Sequence, residues 1–343
     1  QSRGLGDVYK RQIKIFHIFT EKEVIPMPQE KIYELESDDY SQSANTLFHF
    51  MKESRFLNDI LIKKAIIPRY CKEDIAYLKI KNNGIPFNEI LVLQKCFCDI
   101  PFHKLTEKLY LKGTGENFLK CSPEEQNLLS HNNTHPDFYG YYGIAFPKSW
   151  GEKNNLQPVH YLNESSSYIH DFTHLIEQLL ADNDIPDICS NDIIRRLTYI
   201  KPLRGKMTRS IKYQDKAEQT IDFLKNFHDE REWRYVPDPD SLTEAKKDPI
   251  IANPNYIKIS TDTHNDFNFN TELTKPYCKK LWLNYTYENI RYLIVPDSQA
   301  RYDLINTILA LPDENFSPNT DISMQKYILI SKILVLNELR KDW

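Results

Sequence analysis

The sequence predicts an α+β fold, a mixed or antiparallel central sheet flanked by helices, from three observations. Segments of strand composition are interleaved with helical ones, but without the regular βαβ spacing that a doubly wound parallel sheet requires. Neither GxGxxG nor GxxxxGK[ST] occurs, and 9 glycines in 343 residues argue against a phosphate-cradling loop design. The chain is 41% hydrophobic and 12% aromatic, a globular composition. At this length about 75% of the unfolded surface is buried on folding, so the core needs no metal or disulfide.

In chain order, "TLFHF" (46–50) has strand composition. In "ESRFLNDILIKKAIIP", Phe56, Leu57, Ile60 and Leu61 fall at helical spacing, with Ser54 as N-cap and Pro68 beyond the end. "EILVLQKCFCDIPF" (89–102) is a continuous apolar run of strand type stopped by Pro101. "DFYGYYGIAFPKSW" (137–150) leads from a Gly-Tyr-Tyr-Gly core into a strand of buried type, and "LQPVHYL" (156–162) reads as one further strand. Helices are expected over "SSSYIHDFTHLIEQLLA" (165–181) and "YQDKAEQTIDFLKNF" (213–227), with the basic stretch "KPLRGKMTRSIKY" (201–213) as a loop between them. "YIKIS" (256–260) and "IRYLIVP" (290–296) read as strands and "SQARYDLINTILAL" (298–311) as a helix, before the terminal "MQKYILISKILVLNELRKDW".

The formal charge of −4 gives no broad attraction to nucleic acid, although a local basic groove is compatible with it. The longest apolar run, "ILISKILVLNEL", is interrupted by Lys332 and falls short of the ~18 residues of a membrane helix. Six cysteines without a CxxC pair or framework spacing fit a reduced cytoplasmic protein. Residues 7–12, "DVYKRQ", are what GAT-GTG-TAT-AAG-AGA-CAG encodes, a string that looks like a transposon end used in sequencing-library adapters. Residues 1–12 are therefore expected to be a sequencing artefact and the start of the natural chain to be missing. Residues 13–44 are expected to form a lead-in segment and 45–343 a single α+β domain.

The densest charge pattern is "NFHDEREWRYVP" (226–237). As a strand, "EREWRYV" places Glu230, Glu232, Arg234 and Val236 on one face and Arg231, Trp233 and Tyr235 on the other. The aromatic side would pack, and the opposite side would present two carboxylates two residues apart. Such a pair can stabilise positive charge developing at a sugar carbon or hold a ribose hydroxyl. The plainer reading is that each carboxylate pairs with a neighbouring Lys or Arg. His49 sits at the end of a strand just before a helix, as a hydrogen-bonding group for a ligand hydroxyl or as a satisfied core histidine. Lys201, Arg204, Lys206, Arg209 and Lys212 form the strongest basic cluster, able to receive phosphates of a nucleotide, a nucleic acid or an acidic partner face, or simply to be solvated. Cys96 and Cys98 would share a strand face as packed thiols.

His170 and His174 stand at i and i+4 on a helix, but Asp171 replaces the glutamate of HExxH and no third ligand is indicated. These two and the "HNNTH" pair (131–135) are expected to be solvated, and no metal site is expected. No GxSxG motif supports a serine nucleophile.

A strand-borne histidine near the front and a Glu-x-Glu strand much later resemble, over these two short segments, the ADP-ribosyltransferase fold. That resemblance implies His49 as ribose ligand, Glu232 as catalytic glutamate with Glu230 as companion, NAD as cofactor, and an aromatic from Tyr139, Tyr141 or Tyr142 stacking on nicotinamide. No nicotinamide-stacking motif singles out one of the three.

A second resemblance covers most of the chain. "SANTLFHFMKESRFLNDILIKKAIIPRYCKED" (43–74), "CFCDIPF" (96–102), "YGYYGIAFPKSWG" (139–151), "LQPVHYL", "DEREWRYVP" (229–237) and "ISKILVLNEL", in that order, resemble the AbiGi family of abortive phage resistance proteins. This resemblance implies a cytoplasmic bacterial protein of phage defence, acting as the antitoxin or regulatory component of a two-gene system with a cognate toxin-like partner. Two classes thus stand beside each other: a binding component, and a NAD-consuming transferase.

Overall fold

The computed structural model describes residues 43–82, 84–107, 134–181, 195–211, 219–251, 267–318 and 320–342. All lie in one unit, Tyr40–Trp343. Residues 13–42 of the expected lead-in segment and the "YIKIS" strand fall outside them.

The described chain opens with β1 (Thr46–Met51) and α1 (Ser54–Lys63), then β2 (Arg69–Asp74) and the long β3 (Glu89–Cys98). Helix α1 buries Leu57, Ile60 and Leu61, the helical spacing read from sequence. Its N-cap is Glu53, in extended conformation without a side-chain cap bond, so Ser54 is the first helical residue rather than the cap. Next come α2 (His135–Tyr139), β4 (Tyr142–Pro147), α3 (Lys148–Lys153), β5 (Gln157–Pro158), β6 (His160–Leu162) and α4 (Ser167–Ala181). They are followed by β7 (Ile200–Pro202), β8 (Arg204–Ile211), β9 (Gln219–Asn226), β10 (Glu232–Tyr235) and β11 (Ile250–Ile251). The last part carries β12 (Tyr292–Val295), α5 (Ser298–Leu309), α6 (Ile322–Ser331), β13 (Ile333–Val335) and α7 (Leu336–Asp342).

Among the described residues nine strands form one sheet, in the order β13-β12-β4-β1-β3-β10-β5, with β2 and β11 also pairing with β3. Only β12 and β13 run parallel within it; its other pairs are antiparallel. This is the mixed α+β sheet that the spacing predicts. Alternation puts Leu47, Met51, Phe97, Phe146, Trp233 and Tyr235 into the largest core cluster, together with α1 and α5. Phe48, Cys98, Ala145 and Ile294 pack in a second cluster with Leu336 of α7.

Three further expectations fail. Residues 219–226 are a strand, not a helix: β8 and β9 pair antiparallel from Arg204↔Asn226 to Ile211↔Gln219. The helical reading weighed local propensity, whereas the long-range ladder of the ribbon decides the conformation. For the same reason residues 204–211 are strand rather than loop. "LQPVHYL" is two strands in two sheets: β5 pairs with β10, while β6 pairs parallel with β7. The switch falls after Pro158, which has no N–H for a ladder, and Val159, whose N–H reaches the Glu232 carbonyl at 2.9 Å.

Candidate functional site

The site lies where β1 and β3 separate. Their ladder has one register pair, Phe48↔Cys98. Beyond it the His49 ring occupies the place of backbone pairing, with Nδ1 2.8 Å from the Cys96 carbonyl. A carbonyl only accepts, so Nδ1 carries the proton and donates. Burial, reinforced by Lys95 and opposed by the Cys96 hydrogen bond, lowers the His49 pKa to about 3. The ring is therefore neutral at pH 7, and its Nε2 presents a lone pair. At this fork opens a cavity of about 250 Å3, lined by β1, β3, His135, Tyr139, Lys201, Glu73, Glu230 and Glu232.

Helix α2 supplies two of these groups because its ends are fixed by sequence. Thr134 is the N-cap, Asp137 Oδ2 accepts from the Thr134 backbone N–H at 2.7 Å, and Pro136 stands in the first turn. Gly140 ends the helix at φ +115°, and its N–H bonds the Pro136 carbonyl at 2.8 Å. Residues four apart share a helix face, so His135 and Tyr139 stack with ring centroids 4.4 Å apart. Buried and facing Lys225, His135 has its pKa lowered to about 3, against the opposing pull of Glu230. It was expected to be solvated, yet it is 4% exposed. The polar "HNNTH" context concealed the fact that Thr134 begins a buried helix. His170 and His174 are exposed, as expected.

The two glutamates reach the cavity by a route that strand alternation does not describe. Glu230 ends a 3-10 turn (Phe227–Glu230), Arg231 takes a left-handed conformation at φ +44°, and β10 begins at Glu232. Arg231 is thus exposed and outside the strand, not on a shared face with Trp233 and Tyr235. Those two aromatics do pack into the core, at 8% and 9% exposure.

Lys201 of β7 draws the carboxylates together, its Nζ lying 3.0 Å from Glu230 Oε2 and 2.8 Å from Glu232 Oε2. Glu232 Oε1 accepts from Arg234 Nε at 2.6 Å, and Arg234, fully buried, also donates to the Thr198 carbonyl at 2.8 Å and pairs with Glu73 at 3.0 Å. Glu230 Oε1 accepts from the Tyr139 hydroxyl and from Lys225, and Lys225 also donates to Tyr139 Oη at 2.6 Å. Glu73, Glu230 and Glu232 therefore balance Lys201, Lys225 and Arg234 in one neutral network.

Burial opposes charge on both glutamates, but Lys201 and Lys225 hold Glu230 at about 2, and Arg234 and Lys201 hold Glu232 well below the carboxylate range. Burial would discharge Lys201, yet Glu232 and Glu230 raise its pKa well above the ordinary value. For Lys225 burial prevails over Glu230 and the pKa is lowered. Burial and Glu230 push the Tyr139 phenol far up. The Cys96 and Cys98 thiols, facing the cavity, are raised by burial and by Glu232 and Glu230 respectively, so they are protonated and not nucleophiles.

Of the residues singled out in the sequence, His49, Tyr139, Glu230 and Glu232 line this one cavity. Tyr141 instead donates to Asp137 and lies under the Arg340 guanidinium, and Tyr142 packs on the main core. Arg204 is exposed at the root of the β8–β9 ribbon, away from the cavity lining. Sequence reading missed Lys225 and Glu73, because only the β9 and β2 pairings bring them near. Lys201 was visible, but as a member of a basic loop. No group of three or more His, Cys, Asp or Glu among the described residues is placed to hold a metal. Nor is any described helix long and apolar enough to cross a membrane.

Comparison with known proteins adds the following. Residues 125–296 match a family model described as "Putative abortive phage resistance protein AbiGi, antitoxin". A Lactococcus lactis subsp. cremoris protein, "Abortive phage resistance protein AbiGi", is 32% identical over 292 residues, covering 81% of this chain and all of the relative. No solved structure matches. A similarity of this identity that runs the whole length of the relative shows the family: the chain belongs to the AbiGi family of abortive phage resistance proteins.

Proposed function

We propose that the chain acts in abortive phage resistance as an antitoxin, binding a cognate toxin and holding it inactive in a protein complex. The observation that carries this reading is the match over residues 125–296 to a family described as antitoxin. The chemistry of the site supports it. Glu230 and Glu232 stay ionised, His49 and His135 stay neutral, and Tyr139 stays protonated across the neutral range. General acid–base catalysis works best with a group that titrates near the working pH, and these five groups do not. A binding component needs none. The test is co-purification: the product of the neighbouring gene, expressed with this chain, should co-elute with it as a stable complex. Separate elution at all protein concentrations contradicts the proposal.

A second reading has a specific observation in its favour. His49, Tyr139 and Glu232 line one cavity, and a transferase that cleaves NAD needs fixed negative charge beside the ribose carbon rather than a titrating group. In this reading His49 holds a ribose hydroxyl, Tyr139 provides the aromatic wall, and ionised Glu232 stabilises the developing positive charge. Incubation with NAD and bacterial lysate tests it. Nicotinamide release and ADP-ribose mass additions that vanish in a folded Glu232→Gln protein support it; no turnover under any condition rejects it.

A further inference from the structure

The cavity has properties beyond the His49 hydroxyl contact that the second reading already uses. His135 is 4% exposed and lines it, its ring lies against the rings of Phe50 and Tyr139, and no described residue hydrogen-bonds that ring. His49 uses Nδ1 on Cys96, and its Nε2 has no hydrogen-bond partner among the described residues. Two imidazoles with hydrogen-bonding capacity to spare thus face one space, where a ligand hydroxyl can meet them. Lys201 has three N–H donors, places two on Glu230 and Glu232, and lies with Nζ 4.6 Å from the Phe227 ring centroid. Glu230 Oε2 and both Glu232 oxygens each accept one of these bonds and retain a further lone pair, whereas Glu230 Oε1 already accepts two.

The polar side of the cavity therefore offers mainly acceptors with few donors, which suits a ligand rich in hydroxyl hydrogens. The lining also includes three aromatic rings, Phe48, Phe50 and Phe97. The surrounding network is electrically neutral, so a phosphate would face Glu230 and Glu232 without a spare cation, and a cationic ligand would face Lys201. The volume of about 250 Å3 lies below the ~300–1,000 Å3 typical of drug-sized ligand pockets. It suits one or two rings, the size of one nucleoside end of a dinucleotide.

We propose that this cavity is a binding site for one uncharged, hydroxylated ring compound of nucleoside size. The sugar hydroxyls donate to His49 Nε2 and the glutamate oxygens, and the base lies against Phe50 and His135. A free monosaccharide shares the hydroxyl chemistry but leaves the aromatic wall uncovered. The site makes the protein responsive to a small molecule, a property beyond toxin binding and independent of any turnover.

Calorimetric titration and thermal melting of the full chain test this with the four common ribonucleosides, their 5′-monophosphates and free ribose. At least one nucleoside should bind at a single site and raise Tm, with its monophosphate and ribose each about tenfold or more weaker. His135→Phe keeps the ring stack but loses both nitrogens, and should weaken binding at least about tenfold with little change in the unliganded melting curve. Nitrogen NMR of the wild-type imidazoles gives a second readout that needs no variant: His49 and His135 should shift on titration. The proposal is overturned if no nucleoside binds at millimolar concentration, if a monophosphate binds more tightly than its nucleoside, or if the imidazole signals stay in place at saturation. None of these results bears on toxin co-elution, so the two proposals stand or fall separately.

Discussion

Glu232 gives one carboxylate oxygen to Arg234 and the other to Lys201, and Arg234 is fully buried. Glu232→Gln leaves both cations short of their counter-charge, and breaking a buried ion pair from one side costs about 3–5 kcal/mol. We expect a loss of that order in urea denaturation; a loss under about 1 kcal/mol would mean that the network contributes little to the folded state. Acid should act on the same residues. His49 and His135 have folded pKa values lowered from 6.5 to about 3, so the unfolded chain binds more protons between these limits. Stability is then fully present above pH 6.5 and falls as pH drops toward 3, by up to about 1.4 kcal/mol per pH unit for each histidine. Glu230, lowered from 4.5 to about 2, adds a further loss between those two values as its carboxylate protonates. A midpoint that stays constant from pH 7 to pH 4 would contradict the assignment of two buried neutral imidazoles.

At the scale of elements, the short helix α2 carries the site, and Gly140 is the reason it can end beside β1. A Cβ at Gly140 would lie 2.1 Å from the Met51 carbonyl oxygen, and its φ of +115° is one that L side chains rarely adopt. Gly140→Ala should therefore destabilise by more than about 1 kcal/mol and displace His135 and Tyr139. Urea midpoints and the near-ultraviolet spectrum of the aromatic stack check this. Elements of this kind were unevenly legible in the sequence. Strands β1, β3 and β4 follow from apolar strand composition and helix α1 from apolar periodicity, because their own residues mark what is buried, and helices α4 and α5 also stand where the sequence places them. The β8–β9 ribbon does not, since its pairing is a property of two segments and local propensity sees one. Alternation also failed between Glu230 and Glu232. The left-handed Arg231 breaks the strand there, and a non-glycine residue carries no composition signal for that conformation.

For the whole molecule, the sheet brings residue 49 and residue 232 to one cavity by pairing β3 with both β1 and β10. The sequence order of His49 and the glutamates hinted at this meeting. Arg234, two residues from Glu232 on the same face, was legible as a partner; Lys225, which pairs with Glu230, and Glu73, which pairs with Arg234, became visible only when the strands were in register, because ion pairing between distant segments leaves no pattern along the chain. Family membership was legible earlier than mechanism, through ordered short segments spread across most of the length, and the full-length match to AbiGi agrees with it. The central functional claim belongs to this scale, and growth measures it most directly. The neighbouring gene product is induced in a bacterial host with or without this chain, while optical density is followed. The account predicts growth arrest without the chain and restored growth with it; arrest that persists in its presence, or arrest caused by this chain alone, would contradict the antitoxin assignment.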